Sequence, residues 1–146
     1  KGKKREVITI KNQKSTLKIL PLICYEIIYS GKLSKNSNYD LIINISEDGW
    51  FGKSIGPRQH FDHSIFRAIE SGKYILRSSN NGIAGIINPM GVVEQNVDFS
   101  ESGYIDLIEM KKIQPTIFSY YGNKIFGFLT LLYILLILSF NRIKDE

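Results

Sequence analysis

The chain holds one cysteine, Cys24, at the end of the apolar run 19–23 and just before Tyr25 and Glu26. A thiol at the mouth of a strand, where the chain turns into a helix, is well placed to act as a nucleophile. The first backbone N–H groups of such a helix can stabilise the oxyanion that follows attack. Glu26 is close enough in sequence to orient or deprotonate a neighbour. The same placement also suits an inert buried thiol, because free cysteine is among the most buried residue types. A single cysteine forms no internal disulfide and no multi-cysteine zinc site. His60 and His63 lie three apart, and two histidines without a third ligand make a poor metal centre. They are expected to serve as hydrogen-bonding residues, with a Cys–His dyad as the reactive alternative. No metal and no cofactor is called for.

The elements that must position Cys24 can be read from periodicity. Residues 7–10 alternate as a strand, 12–14 turn, and 16–23 form a second strand. Pro21 inside that run marks a bulge or an edge position. A short helix is expected over 26–29, ended by Ser30 and Gly31, followed by a polar loop over 33–38. The run 41–45 reads as a strand buried on both faces, broken only by Asn44. A Gly-rich loop over 46–56 carries Trp50 and Phe51, which either join the core or, as loop residues, cover a pocket or touch lipid. Pro57 opens a helix whose Phe61, Ile65, Ala68 and Ile69 share one face, and Gly72 stops it. Strands are expected over 74–78, 83–87, 92–95 and 104–108, with turns at 80–82 and 89–91. Alternating strands and helices followed by hairpins favour a layered α/β sandwich with a mixed sheet.

The 16 residues 125–140 carry no charge, slightly fewer than the ~20 that span hydrocarbon untilted. Tyr120, Tyr121 and Asn123 before the run suit the interface, and Lys124 and Arg142 can snorkel outwards. A transmembrane helix is therefore expected over 124–142. Residues 1–115 form the domain, 116–123 a linker and 143–146 a short tail. Net charge is +5, with Lys1, Lys3, Lys4, Arg5, Lys11, Lys14 and Lys18 crowded at the start. No nucleic-acid-reading motif accompanies them, so a solvated edge hairpin is expected rather than a nucleic-acid partner.

Several longer motifs occur in order. They are Pro21-Leu22-Ile23-Cys24-Tyr25-Glu26, Asn44-Ile45-Ser46-Glu47-Asp48-Gly49-Trp50-Phe51-Gly52 and Gly56-Pro57-Arg58-Gln59-His60. Arg67-Ala68-Ile69-Glu70 and Leu76-Arg77-Ser78-Ser79-Asn80-Asn81-Gly82-Ile83 follow. Together they resemble the nitrilase-type domain of the apolipoprotein N-acyltransferases, over about 20–91 and on into the tail. The resemblance implies part of a nitrilase-type α-β-β-α sandwich followed by one C-terminal transmembrane helix. It places the domain on the periplasmic side of a bacterial inner membrane. It also implies a two-step transfer: Cys24 takes an acyl chain from a phospholipid donor as a thioester, then passes it to an apolipoprotein acceptor.

In that family the catalytic triad is Glu-Lys-Cys, and only the Cys has a counterpart here. Tyr25, Glu26 and Trp50 match supporting positions of the active-site region. Glu47 stands where an Asn is common, an expected tolerated loop change. The chain beginning at Lys1 is accordingly expected to be the C-terminal part of the enzyme and inactive alone. The alternatives are a soluble-type carbon–nitrogen hydrolase acting on an amide or nitrile, and a non-catalytic membrane-tethered remnant.

Overall fold

The computed structural model describes residues 5–13, 15–31, 33, 38–111 and 113–144. Six strands form one sheet in chain order: β1 Ile8–Lys11, β2 Thr16–Ile23, β3 Leu41–Glu47, β4 Tyr74–Asn80, β5 Ala84–Ile87 and β6 Val93–Val97. The centre, β2–β3–β4, is parallel, and the outer pairs β1–β2, β4–β5 and β5–β6 are antiparallel. This mixed sheet is the arrangement expected when crossover units give way to hairpins. Strands β1 and β2 form the expected edge hairpin, with β1 exposed throughout. Lys1, Lys3, Lys4 and Lys14 lie outside the described residues. β1 stops opposite Ile19, so at Pro21 the strand β2 is paired only with β3, as a proline requires.

Helix α1, Gly56–Ser71, crosses one face of the sheet. Pro57 sits in its first turn, and Gly72, at φ +64°, ends it by donating its N–H to the carbonyls of Ala68 and Ile69. Side chains two apart on a strand share a face. Leu20 and Leu22 of β2, Ile42 of β3, Ile75 of β4 and Ile87 of β5 thus meet Phe61 and Ala68 of α1 in the main core. Ile69, expected on the buried face of α1, is instead 45% exposed and lies against the Gly91 turn, whose missing Cβ leaves it room.

The opposite face buries Ile19, Leu41, Tyr74 and Ile86 beneath Ile105, Leu107 and Met110. Those covering residues belong to an irregular segment, 101–111, which replaces the strand expected over 104–108. That segment pairs with no strand of the sheet. Its apolar side chains at 105 and 107 alternate as in a strand because they too cover a sheet face. The double burial expected for β3 holds only at its start: Leu41 and Ile42 are buried, but Ile45 is 60% exposed. Of the α-β-β-α sandwich that the resemblance implies in part, the described residues supply one mixed sheet with one helix layer.

The expected linker contains a short helix, α2 Ile117–Tyr121, capped by the Thr116 hydroxyl, which accepts from the N–H of Ser119 at 3.1 Å. The same hydroxyl donates to the Glu70 carbonyl, which fixes the linker to the end of α1. Helix α3 then runs Lys124–Lys144. Among the described residues no helix is long and apolar enough to cross a membrane, so the expected transmembrane span is not reached. The charge-free run of 16 residues measures about 24 Å at 1.5 Å per residue, short of the roughly 30 Å hydrocarbon core.

Candidate active site

Along the α1 face of the sheet, apolar residues give way to polar ones toward the carboxyl ends of the parallel strands. Leu22, Asn44 and Arg77 form one row across β2, β3 and β4. Two residues on, the same face of β3 carries Ser46. Two residues further, Asp48 follows the strand end. Ligand sites in parallel sheets gather at this end.

Cys24 stands here, just beyond the end of β2. The expected helix over 26–29 is a 3₁₀ turn, Cys24–Ile28, and it starts at the cysteine itself. Cys24 has φ +48°, in the left-handed region that residues with a Cβ rarely occupy. The reversal leaves the thiol half-buried. Its sulfur lies 3.7 Å from the Ser46 hydroxyl. The Asn44 amide holds the turn from below, donating to the carbonyls of Leu22 at 3.1 Å and Cys24 at 3.4 Å.

Behind Cys24 lies a buried polar network. The Asp48 carboxylate accepts from Ser46 Oγ at 2.7 Å and His60 Nδ1 at 2.8 Å on Oδ1, and from an Arg77 guanidinium nitrogen at 2.7 Å on Oδ2. Arg77 also donates to the Asn44 side-chain oxygen and, at 3.3 Å, to the Ile83 carbonyl. All five side chains are buried. Burial pushes the Asp48 carboxyl up, but the hydrogen bonds from His60 and Ser46 and the charge of Arg77 outweigh it. They hold the group well below the usual carboxylate range. Burial lowers the Arg77 pKa, opposed by Asp48. An ionised Asp48 can only accept, so the His60 proton resides on Nδ1.

The expected supporting residues divide. Tyr25 stacks on His60, with ring centroids 5.1 Å apart, and Phe51 meets both rings edge-on at 6.0 and 5.8 Å. Glu26 does not face the thiol as a base would. One oxygen accepts from the Ile23 N–H at 2.8 Å and the other from Arg5 Nε at 3.1 Å, so it braces the start of the turn. Trp50 is 87% exposed on a 3₁₀ turn, Gly49–Phe51. Glu47 accepts from the Gly49 N–H at 2.7 Å and the Asn80 amide at 2.5 Å, tying that turn to the end of β4.

His60 is a hydrogen-bonding residue, as expected: its Nδ1 meets Asp48 Oδ1 at 2.8 Å and Ser46 Oγ at 3.5 Å, and Ser46 in turn meets the thiol. Reading the sequence missed Asn44, Ser46, Asp48 and Arg77 as site residues, although the spacing of the first three, two apart, placed them on one face. A cleft of about 310 Å³ borders the Asp48 end of the network through Ser79 and Gly82, and another of about 380 Å³ lies between Lys53, Pro57, Ile83 and Phe99. Neither is lined by Cys24.

The chain matches the carbon-nitrogen hydrolase family model over residues 2–117. It is 50% identical over 112 residues to an apolipoprotein N-acyltransferase of Rickettsia bellii, covering 75% of this chain and 22% of that protein. The corresponding enzyme of Rickettsia typhi is 47% identical over 113 residues, covering 76% and 23%. That of Bradyrhizobium diazoefficiens is 40% identical over 105 residues, covering 71% and 20%. The chain thus spans about a fifth of the length of these curated relatives. A family match across most of its length, joined to this mixed sheet, places the chain in the carbon–nitrogen hydrolase family.

Proposed function

We propose that this chain carries the nucleophile of a membrane-bound N-acyltransferase. Cys24 takes an acyl chain from a phospholipid and delivers it to the terminal amine of an apolipoprotein, on the periplasmic side of a bacterial inner membrane. The observation that carries the reading is the left-handed turn at Cys24, within a chain that is 50% identical to a protein of that name. Such backbone strain persists where surrounding structure over-determines it, and it gathers at working sites.

In the first step the thiolate sulfur bonds to the ester carbonyl carbon and the C–O bond breaks. The lysophospholipid leaves as an alcohol after taking a proton. In the second step the amine nitrogen attacks the thioester carbonyl, the C–S bond breaks and the thiolate returns. A thioester keeps the acyl group activated while the second substrate arrives, which avoids a three-body encounter. Tyr25, Phe51 and His60 build an apolar and aromatic wall beside the turn, while Glu26 fixes the turn's entry. Among the described residues the sulfur's hydrogen-bond partner is Ser46, a hydroxyl and not a base.

Helix α3 supports attachment to lipid. Twelve of its side chains from Phe126 to Phe140 are large, apolar and exposed, on all sides of the helix. Such a surface belongs in hydrocarbon or against another apolar helix.

The test is a chimera in which this chain's matched segment replaces that of the Rickettsia bellii relative. Incubated with phospholipid vesicles, it is expected to gain one acyl mass on Cys24 and to lose it to an amine-bearing lipopeptide. The Cys24→Ala chimera gains none. A folded, membrane-inserted chimera that keeps Cys24 yet never acquires acyl mass overturns the reading.

A further inference from the structure

The Ser46 hydroxyl has one proton and two acceptors within reach, Asp48 Oδ1 at 2.7 Å and the Cys24 sulfur at 3.7 Å. The shorter contact, to an ionised carboxylate, is the stronger one. With the thiol protonated, the hydroxyl therefore stays on Asp48 and its lone pairs face the S–H, a weak donor. Deprotonation reverses the demand: the sulfur becomes a charged acceptor beside a hydroxyl that can rotate.

That rotation leaves no carboxylate oxygen bare. Oδ1 retains the His60 Nδ1–H and Oδ2 retains Arg77. We propose that Ser46 is a positioning residue for Cys24: its hydroxyl accepts from the thiol in the resting state and turns to donate to the thiolate, with Asp48, His60 and Arg77 holding it in place for both. The proposal deepens the acyl-transfer reading and rests on it only for the purpose the thiolate serves.

The charged and titratable groups packed around the turn come from several elements. Asp48 follows β3, Arg77 comes from β4 and His60 from α1. On the thiol's own turn, Tyr25 packs on His60 and Glu26 is committed to the Ile23 N–H and Arg5. Further along α1, Arg67 and Glu70 pair with each other at 2.6 Å, and Arg67 also donates to the Ile28 carbonyl. Of the hydroxyl and amide groups nearby, Asn44 is spent on backbone carbonyls and Arg77, which leaves Ser46 as the adjustable donor.

Because the chain has one cysteine, thiol chemistry reports on Cys24 alone. Alkylation by iodoacetamide, followed against pH on the full chain in mild detergent, reads the thiolate fraction without any lipid; the thiol proton passes to hydroxide. Ser46→Ala is expected to slow alkylation at pH 7 by roughly tenfold, as loss of one charge-assisted hydrogen bond implies. Ser46→Thr is expected to restore it, and Ser46→Val, of the same shape without the hydroxyl, is not. Profiles that superimpose for Thr and Val overturn the proposal.

Should the variants not fold, the infrared S–H stretch of the unmodified chain decides. It is expected to lie below that of the denatured chain, as for a donating thiol, and an unshifted band overturns the proposal. A chain that never takes an acyl group but shows the Thr/Val difference sinks the acyl-transfer reading and leaves this one standing.

Discussion

Asp48 and Arg77 face each other at 2.7 Å, and neither side chain reaches solvent. Two charges taken out of water require full hydrogen bonding, and each here has it, through Ser46 and His60 on one side and Asn44 and Ile83 on the other. The pair ties the end of β3 to β4 directly behind the Cys24 turn. Asp48→Asn leaves Arg77 without its counter-charge and is expected to cost about 3–5 kcal/mol, measured by urea denaturation at pH 7 in mild detergent.

The pH dependence follows from the direction of the Asp48 shift. Its folded pKa is depressed, so its stabilising contribution is complete above the unfolded carboxylate value of about 3.9. The contribution is lost as pH falls below that toward the folded value. Denaturation midpoints of the unmodified chain are expected to drop more steeply below pH 4 than those of Asp48→Asn. Parallel acid profiles would count against the network.

Gly82 packs against this carboxylate so closely that a Cβ there would strike Asp48 and the Ser79 hydroxyl. Gly82→Ala is expected to destabilise the fold by about 1–3 kcal/mol. Gly127→Ala, in α3 with nothing within 4 Å of the added carbon, is expected to shift stability the other way by up to about 1 kcal/mol. Paired urea midpoints separate the signs.

Trp50 is the chain's only tryptophan, so its fluorescence reports one loop. At 87% exposure it is expected to emit as a solvated indole and to be quenched readily by acrylamide. If the Trp50 loop touches lipid in the working enzyme, anionic or zwitterionic vesicles shift the emission to shorter wavelength. Unchanged emission with vesicle-bound chain places the loop in water.

The exposed apolar surface of α3 predicts vesicle binding. The full chain is expected to float with phospholipid vesicles in a density gradient, and a chain ending at Asn123 is expected to remain at the bottom. Equal flotation of both would assign lipid contact to the body instead.

The strands were legible where alternation or continuous apolarity had one meaning. The expected span 16–23 coincides with β2, and Pro57 and Gly72 bracket α1 as their backbone preferences demand. The segment 104–108 misled because its apolar alternation signals a buried side, whichever way the backbone is hydrogen-bonded. At the site, Cys24 and Tyr25 were recognisable by type and order. Asn44, Ser46 and Asp48 were hidden because each polar residue, taken alone, looks like a flaw in an apolar strand or part of a loop. Their meaning depends on Arg77, 29 residues beyond Asp48, which only the β3–β4 register brings alongside. Glu26 was legible only as a neighbour of the thiol, because nearness in sequence gives no direction; its carboxylate turns back to the chain entering the turn.

Position 24 also exposes a conflict between durability and chemistry. A residue with a Cβ in the left-handed region gives up roughly 1–2 kcal/mol relative to glycine. Glycine at this position would relieve that cost and at the same time remove the chain's one thiol.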